Sequence, residues 1–155
     1  MFNRLIEAWK YIKLTFKKHM ALKEDCHTTI SGMHFLLNKE FKNCFISVTD
    51  ERNIFIYKDE MERIAKVLNV TRFMKWRKEI HDCDNFAFEF KGIMSRVYGK
   101  HAFGIVFVTT PEGGHALNCF IDEFGKFNYF EPQNNNIFGK GDYRYNVYKP
   151  YMIVI

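Results

Sequence analysis

The chain has 155 residues, 47% of them hydrophobic and 17% aromatic, with 17 phenylalanines, which excludes a disordered polypeptide and suits one domain with a ring-filled core. Its net charge of +5 is spread along the sequence apart from Arg4, Lys10, Lys13, Lys17 and Lys18, so neither nucleic acid nor a membrane is an expected partner. The cysteines Cys26, Cys44, Cys83 and Cys119 contain no CxxC pair, which argues against a zinc knuckle or a disulfide-stapled fold.

In chain order, residues 3–20 read as an amphipathic helix, with Leu5, Ile6, Trp9, Ile12 and Phe16 near helical spacing and lysines between them. The stretch is broken by Asn3, Arg4, Glu7 and Lys10 and does not resemble a signal peptide, and no run is long enough to span a bilayer. The expected compartment is the reducing cytoplasm (a host's cytoplasm for a phage-encoded chain), where a working thiol stays reduced. Residues 43–57 predict a hairpin, two apolar runs about a polar turn at Asp50-Glu51-Arg52-Asn53. Asp59 and Glu62 have capping-box spacing for a helix over 60–69, which 72–80 extends or follows with a further turn.

The strongest helix prediction is 83–97. Phe86, Phe90, Ile93, Met94 and Val97 form its apolar face and Gly99 stops it. Strands follow over 103–109, 115–121 and 126–130, with a loop at 111–114, a turn ending in Gly125, and a last strand over 147–155 interrupted by Pro150. Helices followed by antiparallel strands make an α+β domain.

Cys83 opens the best helix, where unpaired N–H groups and the helix dipole favour a thiolate and could hold an oxyanion. Asp82 and Asp84 flank it and work against the thiolate unless they cap the helix or point away. His115 follows Gly113-Gly114 and opens a strand, where an imidazole can serve a thiol as base, and Gly114 leaves room for close approach. Glu131, at the end of the next strand, comes level with His115 and can hold the second imidazole nitrogen. Gln133 shares its face and is a supporting group or an alternative orienter. Trp76 is placed in the core or at the cleft. His81, Asp82, Cys83, Asp84 and His115 are metal-ligand types, but neighbours within one helical turn diverge, so neither a metal nor another cofactor is expected.

Asp82-Cys83-Asp84-Asn85-Phe86-Ala87, Gly114-His115-Ala116-Leu117-Asn118 and Glu131-Pro132-Gln133 together resemble the papain-like cysteine protease domain of the Marasmius oreades agglutinin type, over roughly residues 72–138. The resemblance implies a papain-like fold with Cys83 as nucleophile, His115 as general base and Glu131 as orienting acid, and Asn118 as a recurrent asparagine of the motif. It offers no counterpart of the lectin's sugar-binding β-trefoil. It implies a single papain-like domain over 1–155, with 1–58 as an extension and 59–155 as the catalytic core. The expected function is a cysteine-dependent hydrolase of peptide or amide bonds acting on a protein or peptide. The alternatives are an NlpC-type peptidoglycan amidase and a catalytically silent phage or mobile-element protein that binds a host protein.

Overall fold

The computed structural model describes residues 26–68, 75–99 and 101–155. The helix expected over 3–20 lies outside the described residues. Mixed α and β structure is observed throughout the rest, with strands β1 (His27–Thr29), β2 (Phe45–Ser47), β3 (Arg52–Ile54), β4 (Phe103–Thr110), β5 (Gly113–Ile121), β6 (Phe127–Glu131), β7 (Asn136–Gly139) and β8 (Lys149–Val154). The helices are α1 (Ile30–Glu40), α2 (Lys58–Leu68), α3 (Cys83–Ile93), continued by a wider π turn over Met94–Tyr98, and the short α4 (Tyr143–Val147).

Six strands form one sheet in the order β2-β8-β4-β5-β6-β7, and β1 pairs with β3 in a separate two-stranded sheet. The large sheet is buried on both faces. Alternation sends Phe103, Phe120 and Phe130 one way, against Phe86, Phe90 and Met94 of the α3 segment and Met61 and Ile64 of α2. It sends Val106, Leu117, Cys119 and Tyr129 the other way, against Met33 and Leu37 of α1. Thus α1, within the stretch the sequence treats as an extension, fills half of the core. Phe90 packs its ring 4.6 Å from Phe130 and 5.6 Å from Phe103, so much of the aromatic load holds α3 to the sheet.

The hairpin expected over 43–57 is not formed. β2 runs parallel to β8, with Phe45 opposite Met152, whereas β3 runs antiparallel to β1, with Asn53 opposite Thr28. The polar segment between them is no tight turn: Thr49 N–H donates to the Ile155 carbonyl at 2.7 Å, and Asn53 Nδ2 donates to the Asp50 carbonyl at 2.6 Å. Alternation predicts a strand but carries no information on its partner. The capping box expected for α2 is replaced by a tertiary contact, since Lys58 N–H, at the helix start, donates to Glu123 Oε2 at 3.1 Å. Residues 75–80 are irregular, with Arg77 bridging His81 and Glu79 at φ 60, which ends any helical continuation.

Two polar details fix α3 and β8. Asn118, fully buried, donates from Nδ2 to the carbonyls of Ala87 in α3 and Gly104 in β4, at 2.8 and 3.0 Å. Asn118→Ala strands both carbonyls in the interior and is expected to lower stability by about 2 kcal/mol in chemical denaturation; a loss within experimental error would show that the clamp is dispensable. At Gly104 a Cβ would lie 2.4 Å from the Val154 carbonyl, so only glycine lets β8 approach here.

Candidate functional site

The site forms where β5 and β6 part. Their ladder runs from Ile121–Phe127 to Asn118–Phe130 and stops. Continuing the register would set Ala116 opposite Pro132, which has no N–H to offer. The Ala116 N–H is thereby left for another acceptor, and it donates to the sulfur of Cys83.

Cys83 is the first residue of α3, with Asp82 in extended conformation as its N-cap. Asn85 Oδ1 accepts from Asp82 N–H at 3.1 Å, and Asp84 Oδ1 accepts from Asn85 N–H at 2.9 Å, so local side chains close the first turn around the cysteine. Asp82 and Asp84 hydrogen-bond to each other, which holds Asp82 below the usual carboxylate range and Asp84 above it. One shared proton removes much of the negative charge that the sequence sets against a thiolate. What remains of it, the charge on Asp82, is the weakest influence on Cys83.

His115 and Glu131 lie near the parting ends of β5 and β6. His115 Nε2 and Glu131 Oε2 are 2.6 Å apart, with side chains 21% and 10% exposed. The second carboxylate oxygen, Oε1, accepts the Gln133 main-chain N–H at 3.1 Å. With Nε2 engaged by the carboxylate, Nδ1 is the ring nitrogen left to meet the Cys83 thiol, to which His115 is hydrogen-bonded. The His115 hydrogen bond leads in pulling the Cys83 thiol below its ordinary value of 9.0, overcoming burial; the Ala116 N–H and the imidazolium charge pull the same way. Burial pulls His115 down, but Cys83 and Glu131 outweigh it and raise the imidazole to about 9. At neutral pH the pair is therefore thiolate and imidazolium, an activated nucleophile with its proton parked alongside.

The other cysteines differ. Burial pushes Cys119 and Cys44 up, and Cys119 is fully buried. Of the remaining expected site residues, Gln133 contributes its main-chain N–H to Glu131, leaving Glu131 as the orienter. Asn118 clamps α3 to the sheet. Gly114 is exposed, with nothing within 4 Å of a built Cβ, so the approach beside His115 is open. Trp76 is 56% exposed and lies in an irregular segment, so the expectation of a core or cleft tryptophan is corrected. His81 packs edge-on against Phe86 at 4.6 Å, and among the described residues no group of three His, Cys, Asp or Glu side chains is placed to hold a metal ion.

Two participants escape sequence reasoning. The Ala116 donor is a backbone group, although the Pro132 opposite it was a readable signal. Tyr148 lies edge-on to His115 with ring centroids 6.2 Å apart, bordering the imidazole on the side of β8.

The Agglutinin C-terminal family model matches residues 54–137. Among solved structures, the PSL1a–E64 complex is similar with a TM-score of 0.70 and 24% identity over 85% of this chain and 52% of that one. The Polyporus squamosus lectin bound to the human-type influenza-binding epitope Neu5Aca2-6Galb1-4GlcNAc gives the same TM-score of 0.70 and 24% identity, over 85% and 50%. The chain thus spans about half the length of these structures. No curated protein matches it. The expectation of a cysteine protease or other peptide or amide hydrolase with a protein or peptide substrate is overturned: the matched family is an agglutinin family, and a lectin structure holds a sialylated glycan. The peptidoglycan amidase and the phage-encoded host-protein binder fall with it.

Proposed function

Because the chain belongs to the Agglutinin C-terminal family, we propose that it is a glycan-directed domain of agglutinin type that carries a nucleophilic thiol centre. The observation behind the thiol is the Cys83–His115–Glu131 chain of hydrogen bonds, with Cys83 at the start of α3 and its sulfur also receiving the Ala116 N–H. The glycan half rests on the family and on the lectin solved with a sialylated epitope. A nucleophile at a helix start with base and carboxylate on successive strands is the papain-like arrangement, and that is our reading of residues 59–155, with 1–58 completing the core.

In this centre the Cys83 sulfur supplies an electron pair to an electrophilic carbon and forms an S–C bond. His115 keeps the thiol proton on its ring, Glu131 holds that ring by Nε2, and the first N–H groups of α3 face the charge that develops. The open space beside Gly114 is the entry.

Intact-mass labelling at pH 7 with limiting iodoacetamide, and separately with E64, tests the thiol. A single adduct on Cys83 is expected, with Cys26, Cys44 and Cys119 lagging; adducts shared among all four would sink it. Retention of the full chain on immobilised Neu5Acα2-6Galβ1-4GlcNAc tests the glycan half, and absence of retention on this and on neutral glycans would remove that half alone.

A further inference from the structure

The β5–β6 turn, the end of α1 and the β7–α4 connection enclose a cavity of about 720 Å³, which none of Cys83, His115 or Glu131 lines. Its size suits a ligand of two or three rings rather than a lone small ion. Four ammonium groups line it, from Lys39, Lys58, Lys126 and Lys140.

Three acids also line it, Glu40, Asp122 and Glu123, but their oxygens are already engaged by the fold. Asp122 is 5% exposed; its Oδ1 accepts the N–H groups of Phe124 and Lys126 at 3.0 and 2.8 Å, and its Oδ2 accepts Asn128 Nδ2 at 3.0 Å. Glu123 accepts the Lys58 N–H that starts α2. Glu40 accepts the Tyr145 hydroxyl at 2.6 Å and lies 3.7 Å from the Lys140 ammonium. Among the described residues no carboxylate pairs with the ammonium of Lys39, Lys58 or Lys126. The cavity therefore offers positive charge that the protein does not neutralise itself.

Phe124 gives the second recognition element. It is 75% exposed at the tip of the β5–β6 turn and forms the ridge between this cavity and a neighbouring one of about 680 Å³. The Lys126 ammonium stands 5.8 Å from its ring centroid, so an apolar platform and a cation sit side by side. A pyranose has a C–H face that lies on such a ring, and an acidic sugar adds the carboxylate the lysines call for.

We propose that this cavity binds an acidic saccharide, its carboxylate held by Lys39, Lys58 and Lys126 and one sugar face laid on Phe124. The proposal rests on the glycan half of the function reading and gives it a place. Titration calorimetry of the full chain compares Neu5Acα2-6Galβ1-4GlcNAc, neutral Galβ1-4GlcNAc and inorganic phosphate. The sialylated trisaccharide should bind and the neutral disaccharide should bind far more weakly. Lys39→Glu, Lys126→Glu and Phe124→Ala, all at exposed positions, should each weaken binding by about tenfold or more, while Cys83 labelling proceeds at the wild-type rate and so reports an intact fold. Wild-type binding that these variants leave unchanged would overturn the cavity and keep the glycan reading. No binding of the trisaccharide by the wild type would overturn the cavity and count against the glycan reading as well. Phosphate binding as tightly as the trisaccharide would make this a general anion pocket and overturn the saccharide.

Discussion

His115→Ala slows iodoacetamide alkylation of Cys83 at pH 7 by about tenfold, because two effects of the imidazolium oppose one another. Without it the thiol moves back toward its ordinary value of 9.0, where only about 1% is ionised at pH 7. The pair ionises the thiol far more completely, but a less basic thiolate attacks more slowly, which takes back roughly half of the gain on a logarithmic scale. The pH profile separates this from a structural defect. In the wild type labelling persists well below pH 9, down to the depressed thiol value, whereas in His115→Ala it climbs with pH toward 9 like an ordinary cysteine. Equal rates and equal profiles would show that His115 does not ionise Cys83.

Glu131→Gln should lower stability by about 2–3 kcal/mol at neutral pH, since it removes the charged partner of a mostly buried imidazolium while keeping size and a hydrogen-bonding group. The pH window follows from the raised imidazole. A group lifted from 6.5 to about 9 on folding stabilises the protein fully below 6.5, and that contribution fades as pH rises through about 9. The gap between wild type and Glu131→Gln in denaturation midpoints should therefore be widest below about pH 6.5 and narrow above about 9. His115 ring resonances followed by NMR should titrate at lower pH in the variant. A gap independent of pH, with an unmoved His115 titration, would mean that Glu131 serves packing rather than the imidazole.

The nucleophile, its base and its carboxylate were legible because each sits at an element boundary that residue type announces. Cys83 follows a capping aspartate, His115 follows two glycines, and Glu131 precedes the proline that ends β6. The Ala116 donor was not, since every residue but proline carries the same N–H. Nor were the partners of β2 and β3, whose pairings span either some twenty-five or more than a hundred residues of sequence and are set by the finished core rather than by the strands themselves. Trp76 was misplaced because ring size argues for burial on average while its irregular segment leaves it in water. The chemistry of a thiol could be read from side chains; what approaches it could not, because that depends on surfaces that local sequence patterns do not describe. The lysine-lined cavity draws its walls from four separated stretches of chain.

The position of β8 between β2 and β4 gives the protein an order of assembly during synthesis. β4, β5 and β6 adjoin one another in both sequence and space, so the hairpins that carry His115 and Glu131 can form as soon as they leave the ribosome. The sheet cannot close then. Until the final strand emerges, β4 presents an unpaired edge with Val106 and Ile105 along it, and β2 has nothing to join. The nascent chain thus carries a formed base and carboxylate on an open, adhesive sheet, and the last residues translated convert it into a closed one, making this interval the one in which a chaperone would matter most.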